Sequence, residues 1–174
     1  MPSAADLATL LATLPPPQRA ALLDANRAGL DRMLGLRYEV AEDDRVVATL
    51  EVRSEHLQPY GLVHGGVYAA MVESVCSVGA ALNELPKGRN VVGLENTTRF
   101  HRGTRLGAQL RVEATPSAEP HEGAPNRARW DATITDAAGE VRASGCLVVA
   151  ILAPDATVGG APVALPSVEV PSDD

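Results

Sequence analysis

Aromatic residues and cysteines are scarce in this chain. Its 174 residues include one Phe, one Trp, three Tyr and two Cys. Two cysteines cannot build the disulfide framework of a small secreted domain. Cys76 lies in an apolar helical pattern and Cys146 in a strand-like one, so both are interpreted as small buried hydrophobes in a reducing compartment.

The chain also lacks an excess of positive charge and a long uncharged apolar run. The formal net charge is -7, which argues against nonspecific binding to nucleic acid or to an anionic membrane. No basic segment followed by an apolar one marks the N-terminus, and no apolar run reaches the roughly 18 to 20 residues of a membrane helix. We therefore expect a cytoplasmic protein with neither nucleic-acid nor membrane partners.

A metal centre is not indicated by the four histidines. His56, His64, His101 and His121 show no metal-ligand spacing with the two cysteines. We therefore expect no metal and no cofactor.

Hydrophobic periodicity divides the chain into three segments. Residues 1–35 predict an N-terminal helical extension, with one helix over residues 4–14 that the three prolines 15–17 stop, and a second over residues 18–34. Residues 36–153 form the main domain, where the apolar period changes to two. Residues 154–174 are rich in proline and acidic, with little periodicity, and predict a disordered tail.

The main domain is organised around one apolar helix. Residues 67–82 contain no proline, apolar side chains on every face and a single charge, Glu73. Strands are predicted around residues 46–52 and over residues 91–102, 108–115, 127–135 and 141–152. The fold class is α+β, with the long helix wrapped by one curved antiparallel sheet of five to six strands. That arrangement leaves a helix face and a sheet edge uncovered, so we expect at least a homodimer.

Candidate chemistry lies where two glycines meet this helix. Gly65 and Gly66 place backbone N–H groups at the positive helix end, where they suit a carbonyl that becomes an oxyanion. Glu73, two turns further on, could activate water or attack the carbonyl carbon itself, and His64 and Gln58 flank the entrance. The alternatives are a tight turn for the glycines, an interface ion pair with arginine for Glu73, and a structural hydrogen bond for His64.

The segment from residue 58 to residue 77 resembles the signature of hotdog-fold acyl-CoA thioesterases. It holds Gly-Leu-Val-His-Gly-Gly at residues 61–66, with Glu73 seven residues after the second glycine. The nearest branches are the PaaI-type group and the 4-hydroxybenzoyl-CoA thioesterase with a helix-borne glutamate. The similarity extends over about residues 36–152, through residues 96–102, Gly107, Trp130-Asp131 and residues 136–139.

The resemblance implies a hotdog fold, homodimers that usually join into homotetramers, and active sites at the subunit interface. It implies hydrolysis of acyl-CoA with Glu73 as nucleophile or general base, Gly65 N–H polarising the carbonyl, and His64 and Gln58 in support. The substrate contacts that it suggests come from six residues: Ser77, Gly66, Tyr60, Asn96, Thr98 and Arg102.

Two departures from the family pattern weaken the coenzyme A contacts that the resemblance implies. This chain has Gly103 where the family has proline, and its loop over residues 116–126 is longer. Arg89, Arg99, Arg102 and Arg105 could present cations to phosphates or be exposed strand-end charges.

Substrate and activity stay open on the sequence alone. An apolar acyl pocket is suggested by Tyr60, Tyr68 and Met71. Aromatic residues make up only 3% of the chain, so a stacking cage for a large aryl group is not evident. The alternative to a thioesterase is a hotdog protein that binds acyl-CoA without turning it over. A hotdog dehydratase would need a histidine base in a different motif, which is absent.

Overall fold

A helix of 20 residues packs against a six-stranded antiparallel sheet in the computed structural model. The structure describes residues 4–118, 125–163, 165 and 167–169. The elements in chain order are β1 (Ala4–Asp6), α1 (Leu7–Thr13), α2 (Pro16–Ala25), α3 (Gly29–Leu34), β2 (Arg37–Ala41), β3 (Val46–Glu51), α4 (Gly65–Glu84), β4 (Asn90–Phe100), β5 (Gln109–Pro116), β6 (Arg127–Asp136), β7 (Val141–Leu152), β8 (Thr157–Val158), β9 (Ala161–Pro162) and β10 (Ser167–Glu169).

The main sheet has the strand order β2-β3-β5-β6-β7-β4, with every pair antiparallel. The predicted strands of the main domain agree with β3 to β7 within two residues at each end, and β2 adds the sixth strand. Strand β4 lies at one edge of this sheet. The prediction of a long helix wrapped by five to six antiparallel strands is confirmed.

Helix α4 packs its sheet-facing side with almost no free space. Val72, Val75 and Cys76 are fully buried, and the Trp130 ring of β6 lies directly on Gly79. A Cβ on Gly79 would lie 2.4 Å from that ring, which no real packing allows. This side of the helix therefore belongs to the hydrophobic core.

Helix α4 also has the length and hydropathy of a membrane span. Together with the following turn, residues Gly65–Lys87 pass that test by length and composition. Half of the most apolar stretch is buried within this fold, as in the core helix of a globular domain. Cellular location therefore stays a prediction.

The N-terminal extension differs from its prediction in two places. Residues 4–6 form a strand that pairs with β10 rather than the first turn of a helix. The predicted helix over residues 18–34 is two helices, because Ala28 is extended and Gly29 adopts a positive φ of 50°. The first difference depends on a contact with the other end of the chain, and the second on the local backbone at Gly29.

The C-terminal segment contains regular structure where the sequence predicted a disordered tail. Strands β8 and β9 pair with each other, and β10 pairs with β1 at the other end of the chain. The long loop predicted over residues 116–126 falls largely on residues 119–124, which lie outside the described residues. The three-segment division otherwise stays a prediction.

Helix α3 is fastened to α4 by one carboxylate. Asp31 Oδ1 accepts a hydrogen bond from Ser74 Oγ at 2.5 Å, and its Oδ2 accepts one from the Tyr38 hydroxyl at 2.7 Å. Burial, and then the charge of Asp31, raises the pKa of Tyr38 well above its ordinary value. The extension is thereby attached to α4 at the residue next to Glu73.

Candidate active site

The first turn of α4 presents one backbone amide that is free to bind a ligand. His64 is the N-cap, and its Nδ1 accepts a hydrogen bond from Gly66 N at 2.9 Å. Because Nδ1 accepts, the ring proton of a neutral His64 lies on Nε2. The Gly65 N–H makes no hydrogen bond among the described residues. Gly65 therefore offers a donor at the positive end of the helix, while Gly66, predicted to bind substrate, already has an acceptor.

Gly65 opens onto a cleft of about 320 Å³. Gln58 and Arg102 also line it, together with Leu62. The structure therefore brings together three residues that the sequence predicted for the site, Gly65, Gln58 and Arg102. The loop that carries Gln58 is held by two backbone bonds, Gln58 N to Leu62 O at 2.8 Å and Gly61 N to Gln58 O at 2.9 Å. No hydrogen bond of the Gln58 side chain is recorded within the described part of the chain, so its amide is available to a ligand.

Phe100 forms one wall of this cleft, and sequence reasoning did not single it out. A Cβ on Gly65 would lie 2.7 Å from Phe100 Cζ, and the ring centroids of Phe100 and Tyr68 are 6.0 Å apart. Phe100 is 60% exposed, whereas Tyr68 is buried and donates its hydroxyl hydrogen to Thr104 Oγ1 at 2.8 Å. The available signal was that Phe100, the sole phenylalanine, follows the predicted site residues of its strand.

Glu73 lies on the open side of α4 and is held by a neighbouring strand. Asn96 Nδ2 donates hydrogen bonds to Glu73 Oε2 at 2.9 Å and to Ala69 O at 3.0 Å. Thr98 Oγ1 in turn donates to Asn96 Oδ1 at 2.8 Å. The partner that a lone glutamate in an apolar helix requires is therefore a neutral amide within the described chain. Asn96 and Thr98, predicted to bind substrate, are joined to Glu73.

A β-bulge explains why Asn96 faces the helix. Opposite residues of β4 and β7 share a face, and Gly93 pairs with Val149 while Asn96 pairs with Leu147, so Leu94 is the extra residue. Strict alternation from Gly93 would have turned Glu95 and Thr97 toward α4. An isolated glycine in a strand is the usual signal for a bulge, and Gly93 was that signal.

The three remaining predicted site residues have different surroundings. Ser77 is half-buried on α4, and its hydroxyl has no recorded hydrogen bond within the described residues. Tyr60 is 83% exposed and does not line the cleft. Arg102 lies at the cleft and donates to Val141 O at 3.3 Å.

The other arginines considered for phosphates lie in different places. Arg89 pairs with the buried Glu84 at the end of α4. Arg99 lines a groove on the outer face of the sheet, which α4 does not occupy. Arg105 approaches the loop at Gly61, beside the cleft.

Glu73 and Gly65 of one chain are too far apart to meet one carbonyl group. They are eight positions apart in sequence, which corresponds to about 12 Å along the helix axis. Glu73 does not line the cleft that contains Gly65. Within a single chain, the amide and the carboxylate therefore form two half-sites.

Burial changes the acid–base properties of several groups near these half-sites. It raises the pKa of the Tyr68 phenol and the pKa of the Cys76 thiol, so both stay protonated at neutral pH. It lowers the pKa of His56, with a smaller contribution from the charge of Arg53. Among the described residues no group of three or more His, Cys, Asp or Glu side chains could hold a metal ion. The absence of metal and cofactor stays a prediction.

Comparison with known proteins places this architecture in a family. A family model described as thioesterase superfamily matches residues 60–119. The chain is 41% identical over 117 residues to Rv1847 of Mycobacterium tuberculosis, named as an esterase, covering 66% of this chain and 80% of that protein. It is 35% identical over 130 residues to the 1,4-dihydroxy-2-naphthoyl-CoA hydrolase of Escherichia coli, covering 73% and 91%.

A solved structure agrees with these relatives. The crystal structure of AziG from S. sahachiroi superposes with a TM-score of 0.65 and 37% identity, covering 72% of this chain and 97% of that one. The resemblance to hotdog-fold acyl-CoA thioesterases is therefore confirmed. The chain belongs to the thioesterase superfamily, and it is a thioester hydrolase of the hotdog fold.

Proposed function

We propose that the protein hydrolyses acyl-CoA thioesters, with Glu73 as the catalytic carboxylate and the Gly65 N–H as the donor to the thioester carbonyl. The observation that supports this most directly is the free Gly65 amide at the start of α4, in one cleft with Gln58 and Arg102. Such a donor stabilises the oxyanion that develops as the carbonyl carbon is attacked, and losing one donor of this kind typically costs a few kcal/mol.

Two routes fit this geometry. In the first, a Glu73 oxygen attacks the carbonyl carbon, the C–S bond breaks, and coenzyme A leaves as a thiolate. Water then hydrolyses the mixed anhydride to the free acid and the original carboxylate. In the second, Glu73 removes a proton from water, the resulting hydroxide attacks the same carbon, and the thiolate leaves and is protonated.

The two half-sites are complete only when two chains associate. Edge strand β4 exposes Leu94 and Phe100, at 52% and 60%, and it borders the open side of α4 that carries Glu73. An exposed edge with apolar side chains favours pairing with another chain. The proposed arrangement is a homodimer, or a homotetramer built from it, in which the partner's cleft faces Glu73 of the first chain.

The cleft favours an acyl group with an apolar or aromatic portion. Phe100 offers an exposed ring beside Gly65, and Leu62 adds apolar surface. Arg102 and Arg105 lie close enough to the cleft to meet coenzyme A phosphates. The name of the E. coli relative, a hydrolase of an aryl-CoA, adds weight to aryl thioesters as candidates.

The test is release of free thiol from a panel of acyl-CoAs that runs from short to long chains and includes benzoyl and phenylacetyl thioesters. Native protein is compared with Glu73→Gln, which keeps the shape of the side chain and removes its charge. We expect turnover by native protein, at least about a thousandfold lower kcat for the variant, and retained acyl-CoA binding.

A protein that binds acyl-CoA but hydrolyses no thioester would contradict the proposal. That result would favour the alternative, a hotdog protein that binds acyl-CoA without turnover. Equal turnover by native protein and Glu73→Gln would instead support thioesterase activity and show that Glu73 does not carry it.

A further inference from the structure

The carboxylate of Glu73 is placed by strand β4 rather than by its own helix. One oxygen, Oε2, accepts the hydrogen bond from Asn96 Nδ2, and the other, Oε1, lies against Gly93. Both strand residues flank the bulge at Leu94. The bulge therefore gives one carboxylate oxygen a hydrogen-bond donor and leaves space for the other.

The amide of Asn96 is fixed in a single orientation by its three hydrogen bonds. Its two N–H groups point to Glu73 Oε2 and Ala69 O, and its oxygen accepts from Thr98 Oγ1. A flipped amide would place its oxygen against two acceptors, a carbonyl and a carboxylate. These two acceptors select the orientation of the amide, and the hydroxyl of Thr98 anchors its oxygen with a third hydrogen bond.

Space for Oε1 depends on the missing side chain of Gly93. A Cβ at that position would lie 2.6 Å from Glu73 Oε1, closer than any real contact. The atom that it would meet is the end of a flexible side chain, so the carboxylate would move and the strand would stay. Gly93 consequently affects where Glu73 points more than it affects the stability of the fold.

We propose that Asn96 is a positioning residue for Glu73, with Thr98 orienting its amide and Gly93 leaving room for Oε1. One carboxylate oxygen is then engaged by Asn96, and Oε1 is the oxygen presented to the thioester carbon or to water. This inference rests on the proposed thioesterase function. The sequence predicted that Asn96 and Thr98 contact the substrate, whereas this inference gives them a positioning role.

The two roles separate in steady-state kinetics. Asn96→Leu removes the donor while keeping a side chain of similar size, so the carboxylate loses its fixed position. We expect kcat to fall roughly tenfold and KM for the acyl-CoA to stay within about twofold. A substrate-contact role would instead raise KM with kcat nearly unchanged.

A second and a third variant test the contributions of Thr98 and Gly93. Thr98→Val removes the hydroxyl that orients the amide and is expected to lower kcat about threefold. Gly93→Ala pushes on Oε1 from the opposite side, and we expect it to lower kcat roughly tenfold with an unchanged melting temperature. The matched control is Thr97→Val, because Thr97 faces the outer side of the sheet on the same strand and bonds to Glu95.

A double mutant shows whether Asn96 acts through Glu73. In the Glu73→Gln background, Asn96→Leu should change the residual rate by less than twofold, because the group that it positions has lost its function. A further tenfold loss of rate when Asn96→Leu is added to Glu73→Gln would overturn the inference. Native-like kcat for both Asn96→Leu and Gly93→Ala would overturn it as well. Native protein without thioesterase activity would overturn the proposed function first, and this inference with it.

Discussion

The two sides of helix α4 have opposite characters. On the side that faces β5, β6 and β7, Val72, Val75 and Cys76 are fully buried and Gly79 is in contact with Trp130. On the side that faces edge strand β4, Glu73 and Ser77 are only half-buried, and Asn96 is exposed. Packing on the first side stabilises the fold, whereas the second side keeps a charged group accessible for chemistry.

The difference teaches how one apolar helix can serve both purposes. The core side tolerates no added volume, because ring and backbone are already in contact. The open side holds its carboxylate by one neutral amide, which leaves the charge uncompensated by any cation within the described chain. Substitutions on the two sides should therefore affect different properties.

Replacing the carboxylate should have the largest effect, and only on activity. For Glu73→Ala we expect kcat to fall at least about a thousandfold while the free energy of unfolding changes by less than about 0.5 kcal/mol. Thiol release and urea unfolding measure the two quantities. A loss of stability above about 2 kcal/mol would mean that Glu73 is also a structural residue, and the contrast between the two sides would fail.

Adding one methyl group on the core side should have the next largest effect, and only on stability. Gly79→Ala forces a Cβ into the Trp130 ring, with an expected cost of about 1 to 3 kcal/mol. Ser77→Ala is the matched control, because it places the same side chain two residues away on the open side. We expect its unfolding free energy within about 0.5 kcal/mol of native. Equal losses in urea unfolding for both variants would contradict the contrast.

Breaking the link between the extension and α4 should lower stability by a similar amount. Asp31→Ala leaves the Ser74 and Tyr38 hydroxyls without their acceptor, at an expected cost of about 1 to 3 kcal/mol. A double-mutant cycle with Ser74→Ala isolates the part carried by α4. Additive losses would show that the two residues do not interact in solution.

The smallest effect concerns pH and His56, which lies buried beneath the loop that leads to Gly65. Its pKa is lowered in the folded protein by burial and by Arg53. Below its unfolded pKa of about 6.5 the unfolded state binds more protons, so stability falls as pH drops from there through the lowered folded value. Urea unfolding at pH 7 and pH 5.5 should show a smaller loss for His56→Gln than for native protein, and an equal loss would contradict this account.

The sequence predicted what depends on local pattern. The apolar run with one charge identified α4 and Glu73, and alternation located β3, β5 and β6. The glycine pair after His64 located the helix start, although its two amides differ, since His64 uses the N–H of Gly66. These features follow from spacing along the chain.

What the sequence missed depends on contacts between distant segments. The sequence named Asn96 and Thr98 only as substrate contacts. The bulge at Leu94 that turns Asn96 toward Glu73 depends on the pairing of β4 with β7, which local pattern does not show. Pairing of β1 with β10 joins residues more than 160 positions apart, which no periodicity reports. Tyr60 is exposed outside the cleft of its own chain, so its predicted role in substrate binding stays a prediction.

The central claim is that Glu73 of one chain acts on a thioester held at Gly65 of its partner. The most direct measurement uses two variants that each remove one group of the proposed site and that we expect to be inactive alone, Glu73→Gln and Gln58→Ala. They are mixed, unfolded and refolded together, and assayed for thiol release. In a random mixture half of the dimers are hybrid, and each hybrid holds one site with native Glu73 and native Gln58. The account predicts recovery of about a quarter of native activity. Activity no higher than the mean of the two separate variants would contradict it.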